Sequence, residues 1–143
     1  MRTPAPSDLQ QLFYISRSLA RPDELDELLR LARQLNERRG VTGVLLFTGG
    51  HFAQLLEGPA AALAETMAAI RRDRRHEAIH ELLAGPIAQR RCGDWSMAFV
   101  STPGADDLIQ HLLTGPLVAP ERAQRLLQLM LDAAGATPAA AAP

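Results

Sequence analysis

A chain of 143 residues with 47% apolar and 22% charged side chains has the size and balance of one globular domain with some added length. A net charge of −1 gives no reason to expect it to wrap a polyanion, and a single cysteine, Cys92, excludes an internal disulfide or a cysteine-only metal cluster. The opening MRTPAPSDLQ has no apolar run of the secretory kind and no stretch approaches the roughly 20 apolar residues of a membrane span, so a soluble, cytoplasmic protein is expected.

Residues 1–9 read as a flexible polar arm. Residues 11–17, QLFYISR, are rich in β-formers and predict the first strand. Pro22 suits the first position of a helix, with Asp23 and Glu24 favouring the positive end of its dipole. Leu25, Leu28, Leu29, Ala32 and Leu35 then recur at helical spacing, predicting a helix over 22–38 that Gly40 stops. Asn36 lies close to that apolar stripe, an unusual place for an amide. Residues 42–48 and 51–57 predict two strands joined at Gly49-Gly50 as a hairpin. Ala60–Arg72 places Ala60, Leu63, Met67 and Ile70 on one side of a second helix. A cationic corner follows at 73–76, then strands over 79–88 and 95–101. All six aromatic residues fall in stretches read as strand.

The order β α β β α β β predicts an α+β, ferredoxin-like sandwich with both helices on one face of the sheet. Two further helices are expected over 106–113 and 120–131, and the second leaves Leu126, Leu127, Met130 and Leu131 exposed unless they dock. The division that follows is an arm over 1–9, a domain over 10–102, a helical extension over 103–132 and a low-complexity, disordered tail over 133–143.

Several residues invite a chemical reading. His76-Glu77-Ala78-Ile79-His80 is a literal HExxH, which binds zinc when both histidines share a helix face. Here the segment leads into a strand, where the histidines stand roughly 13 Å apart, so no metal is expected. Arg71, Arg72, Arg74 and Arg75 are either a solvated helix end or an anchor for a phosphate or an acceptor-rich ring edge. No GxGxxG, P-loop or GxSxG occurs. Tyr14 can be an ordinary sheet tyrosine and Asn36 an ordinary polar residue near a helix end. Trp95 and Met97 share a face of the last predicted strand, where plain core filling accounts for them. Gln54 is harder to explain, because it shares its strand face with Phe52 and Leu56 and a buried amide must find partners.

Taken together, these pieces resemble the BLUF family of flavin-binding blue-light sensors. The matching stretches are Phe13-Tyr14-Ile15-Ser16-Arg17, Asn36, Val41-Thr42-Gly43-Val44-Leu45-Leu46-Phe47, Phe52-Ala53-Gln54-Leu55-Leu56-Glu57-Gly58-Pro59, Arg72-Asp73-Arg74-Arg75-His76 and Asp94-Trp95-Ser96-Met97. They follow the family's order and come close to its spacing over residues 11–101. The resemblance implies a flavin ring between the two helices, with FAD expected and FMN open. It implies that Tyr14 hydrogen-bonds Gln54, that Gln54 contacts the ring near N5 and C4=O, and that Asn36 pairs with the C4=O/N3 edge. It assigns Arg75 and His76 to the C2=O edge and ribityl region, and Trp95 and Met97 to signal output. Cys92, where the family often has an aromatic, and Leu35, where some members are polar, depart from the pattern without removing a photochemical group.

The implied chemistry is light-driven electron and proton transfer from Tyr14, followed by rotation or tautomerisation of the Gln54 amide. No catalytic activity is expected. No effector domain follows residue 102, so the signal would pass to a separate protein partner or through assembly state, and the apolar face of the last helix suggests a homo-oligomer. No membrane or nucleic-acid partner is expected. A flavin-dependent enzyme, or an interaction module that has lost flavin, are the alternatives.

Overall fold

Side chains alternate along a strand, so a central strand covered on both faces reads as a nearly continuous apolar run. Residues 52–56, FAQLL, form such a run, and all five are buried. They belong to β3 (His51–Pro59), the middle strand of a five-stranded sheet in the computed structural model, which describes residues 8–93, 95–101, 105–114 and 120–135. β3 lies between β1 (Leu9–Ser18) and β2 (Thr42–Phe47), with β4 (His76–Pro86) beyond β1 and β5 (Ala98–Ser101) beyond β2. The β1–β3, β1–β4 and β2–β3 pairings are antiparallel, and β5 runs parallel to β2. With α1 (Leu25–Arg39, after a 3₁₀ turn at Pro22–Glu24) and α2 (Ala60–Arg72), this is the expected ferredoxin-like arrangement.

The sheet divides the core in two. Tyr14, Leu45, Phe52 and Leu56 pack with Leu29 of α1 and with Leu63 and Met67 of α2. Phe13, Ile15, Val44, Leu46, Ala53 and Leu55 point the other way, toward two further helices, α3 (Ala105–Thr114) and α4 (Pro120–Ala133). Leu126, Leu127, Met130 and Leu131 of α4 are buried in that second cluster. The face expected to be available for self-association is therefore used within the chain, where it closes the outer side of the sheet.

Two local devices fix the central strands. Gly49 has φ 98°, which a tight hairpin needs, and Thr48 and His51 close the turn through a Thr48 N–H to His51 O bond of 3.1 Å. Thr48 Oγ1 and His51 Nδ1 also meet the Asp106 carboxylate, at 2.7 and 2.9 Å, which ties the hairpin to the first turn of α3. Gly43 sits against the carbonyl of Leu55 so closely that any Cβ would collide with it. Its N–H donates 3.1 Å to Trp95 O.

The last strand differs from expectation. β5 begins at Ala98 rather than residue 95, so Trp95 and Met97 precede the ladder and do not share a strand face. The reason lies in the hydrogen bonds: Trp95 O is taken by β2, whereas the Ser96 and Met97 carbonyls turn toward α1. Met97 is buried with the α1–α2 cluster, while Trp95 packs against the α3–α4 cluster. β4 starts earlier than expected, at His76, because it pairs with Ser18 directly after the corner. The HExxH stretch thus lies on a strand, bent at Ala78 with φ 54°. Most of the expected arm and tail falls outside the described residues, although Leu9 opens β1 and Ala133 ends α4.

Docking of α4 predicts an asymmetry between two leucines three residues apart. Leu126→Ala empties a fully buried site and lowers the unfolding free energy by about 2–5 kcal/mol, whereas Leu129→Ala, at a position 50% exposed, changes it by less than about 0.5 kcal/mol. Urea unfolding followed by circular dichroism measures both.

Candidate functional site

Backbone pairing sets Tyr14, Gln54 and Leu45 side by side across three strands, on the face that α1 and α2 cover. Above them, a largely apolar cavity of about 190 Å³ opens between the helices. Leu28, Leu31, Ala32 and Leu35 line it from α1, and Thr66, Ala69 and Ile70 from α2. Asn36, Asp73, Arg75 and His76 add polar groups around it. All five side chains expected to contact a cofactor, Tyr14, Asn36, Gln54, Arg75 and His76, line this one cleft.

Each polar group has a defined partner. The Tyr14 hydroxyl donates to Gln54 Oε1, and Gln54 Nε2 donates to Met97 Sδ at 3.4 Å. An amide nitrogen carries two protons, so Gln54 keeps one N–H for a further acceptor. Asn36 Nδ2 donates to Ser96 O at 2.8 Å and retains one N–H and its carbonyl oxygen. His76 Nε2 lies 2.7 Å from Ile70 O, which can only accept, so that nitrogen carries the proton. In the neutral ring, Nδ1 then accepts from Ser16 Oγ at 2.8 Å. Arg75 grips the Asp73 carboxylate through Nε and Nη2, at 2.9 and 2.7 Å.

Electrostatics keep these groups in distinct states. Burial pushes the Tyr14 phenol well above its ordinary value, and the Asp73 charge adds to the shift, so Tyr14 keeps its proton. The Arg75 guanidinium holds Asp73 below the usual carboxylate range in spite of partial burial. Cys92 is buried away from the cleft, and burial followed by the nearby Glu57 raises its thiol, which leaves it protonated and unreactive.

Three contributors escaped the sequence reading. Leu31 lines the cleft and is 39% exposed, so the apolar stripe of α1 is wider than the sheet alone requires. That surplus width was readable as the mark of a second apolar partner. Ser16, which fixes His76, carried no signal of its own. Glu57, like Gln54, is a polar residue in an apolar run, and it is fully buried. Its carboxylate accepts from Thr42 Oγ1 at 3.2 Å, Arg91 N at 2.8 Å and Cys92 N at 3.0 Å, which pins the loop that leads to Trp95 and Met97. Among the described residues no group of three potential ligands could hold a metal ion. No described helix is long and apolar enough to cross a membrane.

The BLUF family model, sensors of blue-light using FAD, matches residues 9–98, and the chain belongs to this family. It is 42% identical over 87 residues to the blue light- and temperature-regulated antirepressor BluF of Escherichia coli (strain K12), covering 58% of this chain and 22% of that protein. It is 36% identical over 95 residues to the photoactivated adenylate cyclase subunit beta of Euglena gracilis, covering 64% of this chain and 11% of that one. Against the dark-state structure of BlrB, a BLUF protein, it is 38% identical with a TM-score of 0.66, over 84% of this chain and 96% of BlrB. The chain thus spans about a fifth or less of these curated relatives, but nearly all of BlrB. Its BLUF region is a flavin-binding blue-light sensor domain.

The cleft fits that ligand. A flavin ring is planar and apolar on its faces, with acceptors and one N–H along a single edge, and the cleft offers apolar walls beside the unspent donors of Gln54 and Asn36. The Asp73–Arg75 pair borders the same cleft. Because the folded-state value of Asp73 is depressed, its contribution is fully present above its unfolded value near 3.9 and is lost as pH falls through the folded value. Fold stability around the cleft therefore declines in acid below about pH 4. Asp73→Asn unfolds more readily at pH 7 and shows a flatter acid limb, measured by urea unfolding at a series of pH values.

Proposed function

We propose that this protein is a blue-light photoreceptor that holds FAD non-covalently in the α1–α2 cleft and signals through the segment before β5. One observation carries the reading: Tyr14 and Gln54 line the cleft and are hydrogen-bonded to each other, and the series continues from Gln54 to Met97 outside the lining. Bound flavin supplies a strong oxidant when excited by blue light. Tyr14, a buried protonated phenol, gives up an electron and its proton, and the Gln54 amide bonded to its hydroxyl carries the proton. With flavin bound, the returning proton would leave the Gln54 side chain rotated or tautomerised, with an N–H free to donate to the ring's carbonyl edge. Asn36, with one N–H and its carbonyl oxygen unspent, would hold the C4=O/N3 edge. Arg75 and His76 line the cleft and would bound the C2=O and ribityl end, His76 by its ring, since both of its nitrogens are engaged.

One exchanged hydrogen bond is worth about 1 kcal/mol net. That shifts an equilibrium only about fivefold, so the responding element must already be nearly balanced. The Trp95–Met97 segment suits this role: Met97 touches Gln54 on one side of the sheet and Trp95 meets the α3–α4 cluster on the other. The functional division is thus a light-sensing body over 10–102 and an output extension over 103–132. Its signal goes to a separate protein or to the assembly state of the chain, with no catalysis of its own. FAD rather than FMN is supported by the ligand named for the family.

The test is the absorption spectrum of the purified protein before and after blue light, with chromatography of the flavin released by heat. A small, reversible red shift is expected, with FAD in the released fraction. Tyr14→Phe and Gln54→Leu are expected to keep bound flavin but lose the shift, and its persistence in either variant refutes the mechanism. Turnover with a nicotinamide or thiol donor would point instead to an enzyme.

A further inference from the structure

Two side chains on one face of α1 hold consecutive carbonyls of the segment before β5. Arg33 Nε donates to Met97 O at 2.9 Å, and Asn36 Nδ2 donates to Ser96 O at 2.8 Å. Residues three apart are neighbours on a helix surface, so the two contacts form a single clamp. Its site is informative. The β2–β5 ladder starts at Val44↔Ala98, which leaves the Met97 carbonyl just outside the ladder. Arg33 supplies the donor the sheet does not. The same residue's sulfur is the acceptor for Gln54 Nε2. Met97 is thus held at its carbonyl from α1 and engaged at its side chain from β3. Arg33 does not line the cleft, and its hydrogen-bonded link to the flavin-facing amide runs through Met97.

We propose that Arg33 is a positioning residue that keeps the Met97 sulfur within reach of the Gln54 amide and so sets how fast the light-activated state returns to the dark state. The kinetic half of this rests on the photoreceptor reading above; the structural half does not. After the amide has turned, recovery requires Gln54 Nε2 to regain its sulfur acceptor. A tethered Met97 offers that acceptor in place. An untethered one must find its position again, and the return slows. A planar guanidinium donating through Nε sets both the direction and the distance of this tether, which the mobile ammonium of lysine reproduces only in part.

The test compares Arg33→Ala and Arg33→Lys with wild type and with Arg30→Ala, a control on the same helix whose guanidinium pairs with Glu27. Dark recovery is followed by absorbance after a blue flash. The four methionine methyls are observed by ¹³C NMR in the dark, with the Met97 signal identified by its loss in Met97→Leu. Arg33→Ala is expected to bind flavin normally, to keep the size of the red shift, to recover at least threefold more slowly and to displace or broaden the Met97 methyl signal. Arg33→Lys is expected to fall between, and Arg30→Ala to match wild type. A recovery less than threefold slower, a faster one, or an unmoved Met97 signal overturns the proposal. A wild type without a red shift instead refutes the photoreceptor reading, and the dark NMR comparison still decides whether Arg33 positions Met97.

Discussion

The structure depends on the seating of one amide. Gln54 is a neutral polar side chain 5% exposed on a strand otherwise built from Phe52, Ala53, Leu55 and Leu56. Burying an amide without partners costs more than a typical hydrogen bond returns, so its environment must be fully specified. Tyr14 occupies the oxygen and Met97 one proton of the nitrogen, and among the described residues no buried side-chain nitrogen or oxygen is left without a partner. The two partners differ in kind. The phenol is a strong partner that here donates to the amide oxygen, whereas a thioether is a weak acceptor that is readily given up. The amide is therefore anchored at one end and loosely held at the other, which suits a group that must turn without unfolding its surroundings.

That arrangement is carried by a sheet used on both faces. Successive residues of β3 serve opposite layers, with Gln54 facing the cleft and Ala53 and Leu55 facing the layer of α3 and α4. The photochemical face and the outer helices thus share one strand as a common wall. The hairpin joins this wall to α3 a second time, through Thr48, His51 and Asp106. The cleft and the outer layer need no long relay between them: the backbone of β3 separates them, and Met97 and Trp95 pack with one layer each.

The sequence was most legible where local pattern and tertiary pairing agree. The α2 bounds, the Gly49-Gly50 turn and the anomaly of Gln54 all follow from spacing or from a polar residue among apolar ones, and the structure sets Tyr14 directly opposite Gln54. It was least legible where a long-range partner overrides the local pattern. Alternation placed Trp95 and Met97 on one strand face, but hydrogen bonds to Gly43, Arg33 and Asn36 keep that stretch out of the ladder and send the two side chains to different layers. Nothing near Arg33 in the chain marks it as a partner of residue 97. Whether the apolar stripe of α4 would dock or associate was equally undecidable, because periodicity shows that a face is apolar and not what covers it.

Gly43 has a mechanical consequence. With no room for a side chain, β2 closes on the Leu55 carbonyl at that point, and the same residue's N–H holds Trp95 O. The backbone is thereby fixed at Trp95 while, two residues on, the Met97 sulfur is bonded to the amide that would turn in the proposed mechanism. A fixed point and a driven point so close together make the intervening peptide a lever. Displacement at the sulfur cannot dissipate back along the loop, which Glu57 already pins at Arg91 and Cys92. In the proposed mechanism it would load the Asn36 and Arg33 bonds that hold the Ser96 and Met97 carbonyls to α1, or pass forward into β5, the strand at the sheet's edge.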